Sequence, residues 1–343
     1  MVSIRLVLAA TDFSPEGNNA VWRAAAMARH SGARLGIVHV VDPAGYQALR
    51  DWRLPCHQLE LEAARGRAQL RQLAIDVARD CDLMPSVHLQ EGDVVDELVR
   101  TAASSDLLVL GRPPKRRFRD LLMTRTADRV LRASRRPVLV ARNPDKGHYS
   151  TVLVPLGFSA CSGAALRFAM QFAPAKALRL FHALDPAGET IMREAEVPVG
   201  VVRDIRARED VAILGRMRRH VALLGLDDRV VRFAVGRGKF TNATAEHARH
   251  QDAELIVVTR RPRWSLGNLL RANVGTGLLR SSSCDLLMLP HVVDVQAQSR
   301  AALVRSSSAA EHGVGRHTGA PEWSAGVGAS KRDDGHFNWL GRA

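Results

Sequence analysis

The chain is written twice. RLVLAATDFSPEGNNAVWRAAAMA at 5–28 returns as TVLVPLGFSACSGAALRFAMQFA at 151–173, and LGIVHVVDPAG at 35–45 returns as LRLFHALDPAG at 178–188. Further on, SDLLVLGRPP at 105–114 parallels AELIVVTRRP at 253–262, and RRPVLVAR at 135–142 parallels SCDLLMLP at 283–290. Segments repeated in one order at a nearly constant offset identify a tandem duplication, and whatever the first half folds into, the second must fold into as well. The joint is NPDKGHYS at 143–150, where Pro, Asp, Lys and Gly make a linker. The 343 residues divide naturally into two domains of ordinary size, at 1–143 and 149–292, followed by a tail at 296–343.

Each half alternates short apolar runs with longer helical patterns. In the first half strands are predicted near 4–11, 35–41, 86–89, 107–110 and 137–141, and helices near 16–31, 58–82, 94–104 and 120–134. In the second, strands are predicted near 151–156, 178–183, 229–234, 254–258 and 286–289. The runs are continuously apolar rather than alternating, as strands are when helices cover both faces of a parallel sheet. The expected fold class is α/β, with two tandem doubly wound five-stranded parallel sheets. The tail is rich in Ser, Gly, Ala, His and Arg, has isolated Trp323 and Trp339 and shows no periodicity, which predicts disorder.

Composition narrows the function. Arg or Asp interrupts every apolar run, so no window approaches the roughly 18 uninterrupted apolar residues of a membrane span, and the apolar start is closed early by Asp12 without a cleavage-type site. A cytoplasmic protein is expected. Cys56, Cys81, Cys161 and Cys284 stand far apart with no C-x-x-C pair, which suits neither a disulfide framework nor a zinc site. The net charge of +14 raises a nucleic-acid partner, but the excess is mainly arginine, with Lys115, Lys146, Lys176, Lys239 and Lys331 as the lysines, and is scattered rather than gathered. A solvated basic surface is the better account. Ser14 and Ser159 lack a G-x-S-x-G elbow, and His39 and His182 share one repeat position inside strands, as packed core histidines would.

Three features carry a resemblance: the first strand ending in ATDFS at 10–14, the HVVDP end of the second strand, and ADRVLRASRRPVLVAR at 127–142. In these each half is similar to the universal stress protein family, and the whole looks like a tandem member with degenerate nucleotide motifs. The resemblance implies a flavodoxin-like or adenine-nucleotide-hydrolase-like sheet. It implies pairing through the last strand, as a homodimer or as an internal pseudo-dimer of the two halves. It also implies a stress-response protein that is not an enzyme and works through protein partners.

In nucleotide-binding members a loop of the pattern G, two residues, G, nine residues, G, then Ser or Thr holds the phosphates of ATP. Anchored on Gly111 and ADRVL, the second glycine falls on Pro114, the third on Thr124 and the hydroxyl residue on Arg125. Pro114 has no N–H to donate and fixes φ, so the cradle cannot be presented unchanged. The resemblance places Asp12 near base and ribose and the backbone of Val41 near adenine. Lys115, Arg116, Arg117 and Arg119 could supply anion contacts by side chain, and Thr124 and Thr126 retain hydroxyls. Against this, Asp12 equally suits a cap for the helix beginning near Glu16, and the basic run equally suits solvated surface.

In the second half Gly157 replaces the acid, while Thr259, Pro262, Ala272 and Asn273 stand at the motif positions. Gly236 and Gly238 lack Walker spacing. The sequence therefore predicts a nucleotide site weakened in the first half and lost in the second. The alternatives are an ATP-binding switch using the first half only, and a nucleic-acid-associated basic protein.

Overall fold

The computed structural model describes residues 4–43, 57–112, 120–142, 148–158, 160–260 and 274–290. The tail, the first part of the linker and the basic run after Gly111 lie outside the described residues. The first half runs β1 (Leu6–Ala10), α1 (Pro15–Ser31), β2 (Arg34–Val41), α2 (His57–Cys81), β3 (Ser86–Glu91), α3 (Val94–Ala102), β4 (Leu107–Gly111), α4 (Asp120–Ala133) and β5 (Val138–Ala141). The second runs β6 (Val152–Pro155), α5 (Ala160–Ala169), β7 (Leu178–Leu184), α6 (Ala187–Glu194), α7 (Val199–Ala222), β8 (Arg232–Arg237), α8 (Phe240–His250), β9 (Leu255–Thr259), α9 (Val274–Ser281) and β10 (Asp285–Leu289).

Each half is the expected five-stranded parallel sheet, in the order β3-β2-β1-β4-β5 and its repeat. The two do not remain separate. β5 and β10 pair antiparallel, with Leu139 opposite Leu287, and fuse them into one sheet of ten strands. Apolar residues alternate sides along each strand: Val7 and Ala9 face the core under α1, α2, α5 and α7, while Leu8 faces the core under α3, α4, α8 and α9. Both cores draw residues from both halves, so burial continues across the seam. Fully burying one such Val, Leu or Ile is worth about 1.5–3 kcal/mol.

The seam also holds charge. Arg23 of α1 and Asp285 of β10 are 3% and 0% exposed and form an ion pair at 3.4 Å. The Tyr149 hydroxyl donates to Asp285 Oδ2 at 2.7 Å, the Arg142 N–H donates to Oδ1 at 2.8 Å, and the Arg23 guanidinium lies 4.8 Å from the Tyr149 ring centroid. On the other face Thr276 of α9 donates to Asp128 of α4, and Arg260 donates to the Arg132 carbonyl at 2.7 Å.

One strand departs from its expected place. Val230 and Val231 suggest a strand over 229–234, but the Arg229 and Val230 N–H groups bond back to Asp227, closing a turn, and the strand begins at Arg232. Asp227 thus wins those donors before the ladder to β7 can.

Helix α3 shows how locally the elements are specified. Val95, Leu98 and Ala102 form its buried stripe, and Asp93 caps it by accepting from Val95 and Asp96 N–H at 2.9 and 3.0 Å. The Asp96 N–H first, helped by the Val95 N–H and Arg129, holds the Asp93 carboxyl below its ordinary value of 3.8. Asp93→Ala is expected to cost about 1 kcal/mol in urea unfolding at neutral pH. Because the folded-state value is depressed, this stabilisation is present above the unfolded value and is lost as pH falls through the folded one. The gap between wild type and variant should therefore close in strong acid.

Candidate functional site

In a sheet ordered 3-2-1-4-5 the crevice for ligands opens at the carboxyl ends of β1 and β4, where the winding reverses. The structure brings Asp12, Gly111 and the first turn of α1 together there, and Val41 ends the neighbouring strand. Asp12 is exposed, but its Oδ1 accepts from the Ser14 N–H at 3.1 Å and from the Ser14 hydroxyl. Ser14 in turn accepts from Gly17 N–H at 3.0 Å and is the cap of α1. The helix cap is therefore Ser14, with Asp12 holding it in place.

The glycines of this site answer to packing. A Cβ on Gly17 would lie 2.4 Å from Asp12 Oδ1. A Cβ on Gly111 would lie 2.2 Å from the Glu16 carbonyl oxygen and 2.9 Å from Gly17 N. Gly111 is thus the place where β4 meets the backbone of α1. The Arg112 N–H, next in the loop, donates to the Ala141 carbonyl at 2.9 Å and is already used. The Val41 carbonyl accepts from Gly92 N–H at 3.1 Å.

Other sequence-selected residues divide. Lys115, Arg116, Arg117, Arg119 and Pro114 lie outside the described residues. Thr124 and Arg125 fall within α4, whose described side chains begin at Thr126. Thr126 is half-buried. Arg112, which was not among the sequence-selected residues, is 6% exposed, and burial together with Arg142 pulls its guanidinium down to about 10. Cys284 beside it is pushed up to about 12, first by burial and then by Asp285, so it is an inert thiol.

The repeated histidines have a definite task. The Nδ1–H of His39 donates to the Thr11 carbonyl at 2.9 Å, and that of His182 donates to the Leu156 carbonyl at 2.8 Å. Each ring packs on a phenylalanine held at positive φ, Phe13 at 63° and Phe158 at 53°. These pairs fix the turn after the first strand of each half. The repeated Phe-Ser after that strand was the sequence signal for them.

The second half differs from the first at the corresponding turn. Gly157 stands at the Asp12 position and its N–H donates to Ser162 Oγ at 3.3 Å, so the glycine and the side chain have exchanged places relative to Asp12 and Gly17. Arg216 of α7 lies 4.2 Å from the Phe158 ring centroid. Glu189 of α6 pairs with Arg237 at 2.7 Å and with Arg206, while Arg237 also meets Asp210 of α7 at 2.8 Å. This network ties α6 to α7 and to the end of β8. Gly236 is a packing glycine too, since a Cβ there would come within 2.7 Å of the Phe181 ring. Among the described residues no group of three or more His, Cys, Asp or Glu could hold a metal ion, and no helix is long and apolar enough to cross a membrane.

The sequence model of the universal stress protein family matches residues 3–142 and again residues 148–290. The chain belongs to the universal stress protein family. Two solved structures share its fold across both halves. A universal stress protein from Archaeoglobus fulgidus superposes with a TM-score of 0.61 at 16% identity, covering 84% of this chain and 99% of that one. A putative universal stress protein from Pseudomonas aeruginosa gives 0.57 at 18% identity, covering 84% and 94%. No curated protein matches the chain in sequence.

Proposed function

We propose that this universal stress protein is a cytoplasmic, non-enzymatic stress-response protein that acts through protein partners, its nucleotide site weakened in the first half and lost in the second. The observation that carries this is the double commitment at the first mouth: Asp12 Oδ1 is spent on Ser14, and the space a Cβ on Gly111 would need is taken by Glu16. Backbone donors that cradle phosphate must be free and must converge. Here Arg112 N–H is used within the sheet, and the next two positions are prolines. In the second half Gly157 stands where the first has Asp12, and its N–H is committed to Ser162 Oγ.

A second reading is favoured by the asymmetry between the halves. Asp12 is exposed and its Oδ2 has no hydrogen bond among the described residues, so the first half alone could serve as an ATP-responsive switch, with Asp12 and the cluster of Lys115, Arg116, Arg117 and Arg119 replacing the glycine cradle. The two readings separate in a nucleotide titration of the full chain and of Asp12→Ala. The first expects no saturation below about 1 mM ATP, a binding free energy of only about −4 kcal/mol, and no difference between the proteins. The switch requires one site per chain and its loss in Asp12→Ala.

A further inference from the structure

A cavity of about 200 Å³ lies away from either mouth, between the last turns of α1, the linker segment at 148–149 and the end of the helical region after α5. Its walls are of two kinds. Ala26, Met27 and Phe172 are apolar, and Tyr149 presents its ring, its hydroxyl being engaged by Asp285. The polar part consists of Arg29, His30 and His148, and among the described residues no carboxylate lines the cavity. The two imidazoles stand edge to face, 4.2 Å between centroids.

We propose that this cavity binds a small aromatic carboxylate, the ring against Phe172 and Tyr149 and the anion between Arg29 and the two histidines. A one-ring acid matches the volume, and the described lining offers what such a ligand needs, apolar faces and positive charge. Among the described residues, every charged or titratable group facing the cavity is basic. Arg29 and His30 come from α1 and His148 from the linker, and Arg23 lies beyond the Tyr149 ring with its charge matched by Asp285. Burial, and then His148, holds the His30 imidazole below its ordinary value of 6.5. A bound carboxylate reverses that balance, so binding takes up a proton and tightens as pH falls.

The test uses the full chain and sodium benzoate at pH 7.5 and 5.5, with imidazole proton resonances assigned by His30→Gln and His148→Gln. Benzoate should shift both resonances saturably, with affinity rising up to about tenfold per pH unit while one proton is taken up. Ala26→Leu, which fills the cavity, should abolish the shifts while the urea midpoint stays within the range of a surface change. The proposal is overturned if neither resonance moves at either pH, if Ala26→Leu binds benzoate as well as wild type, or if inorganic phosphate produces the same shifts with equal affinity. That last result would show surface charge without a ring site.

Discussion

Asp285→Ala should destabilise the protein by about 3–5 kcal/mol, as breaking a buried ion pair from one side does. The variant takes a partner from three groups at once. The Arg23 guanidinium keeps its burial but loses its anion at 3.4 Å, the Tyr149 hydroxyl loses its acceptor at 2.7 Å, and the Arg142 N–H loses the oxygen it met at 2.8 Å. Each belongs to a different part of the chain, namely α1, the linker and the end of β5, and Asp285 itself opens β10. The damage therefore falls on the seam between the halves. Asp285→Asn keeps the shape and an acceptor and should cost less. Replacing both Arg23 and Asp285 by apolar residues should recover much of the loss, because no charge then remains unpaired. Urea unfolding of the single and paired variants checks this. A single Asp285→Ala variant with the wild-type midpoint would mean that the buried network does not hold the seam.

Gly111→Ala should be the second large effect, about 3 kcal/mol or more. Overpacking a core commonly costs about 1–3 kcal/mol when side chains can shift, but here the obstruction is backbone. The added Cβ would meet the Glu16 carbonyl oxygen at 2.2 Å and its carbon at 2.5 Å, so the first turn of α1 would have to move with its Ser14 cap. Thr259 ends β9 at the repeat position in the second half, so the strand end itself does not demand glycine. The demand comes from the close approach of α1. If the glycine instead served phosphate, Gly111→Ala would leave the urea midpoint unmoved and affect only nucleotide affinity.

The repeat made the architecture legible. Two copies of one strand and helix order, each strand continuously apolar, required a doubly wound parallel sheet, and β1, β2, β4, α2 and α4 lie close to where their patterns placed them. What sequence could not show was set by distant partners. SCDLLMLP reads as an ordinary apolar strand, and only the antiparallel meeting of β5 and β10 buries Asp285 beside Arg23. The shifted start of β8 came from an Asp turn outcompeting a Val pair. At the site, the fold brings Asp12 and Gly111 to one mouth, but a lone glycine looks the same in sequence whether a phosphate or a helix backbone presses on it. The exchange of Asp12 and Gly17 for Gly157 and Ser162 is visible in sequence only once the contact between those positions is known.

The most direct measurement is the nucleotide content of the purified full chain, extracted under denaturing conditions, followed by calorimetric titration of the emptied protein with ATP. A site weakened in one half and lost in the other predicts less than stoichiometric nucleotide in the extract and no saturable heat below about 1 mM ATP. One tightly held adenine nucleotide per chain would contradict it, and would show that the basic loop after Gly111 has taken over the work of the missing glycines.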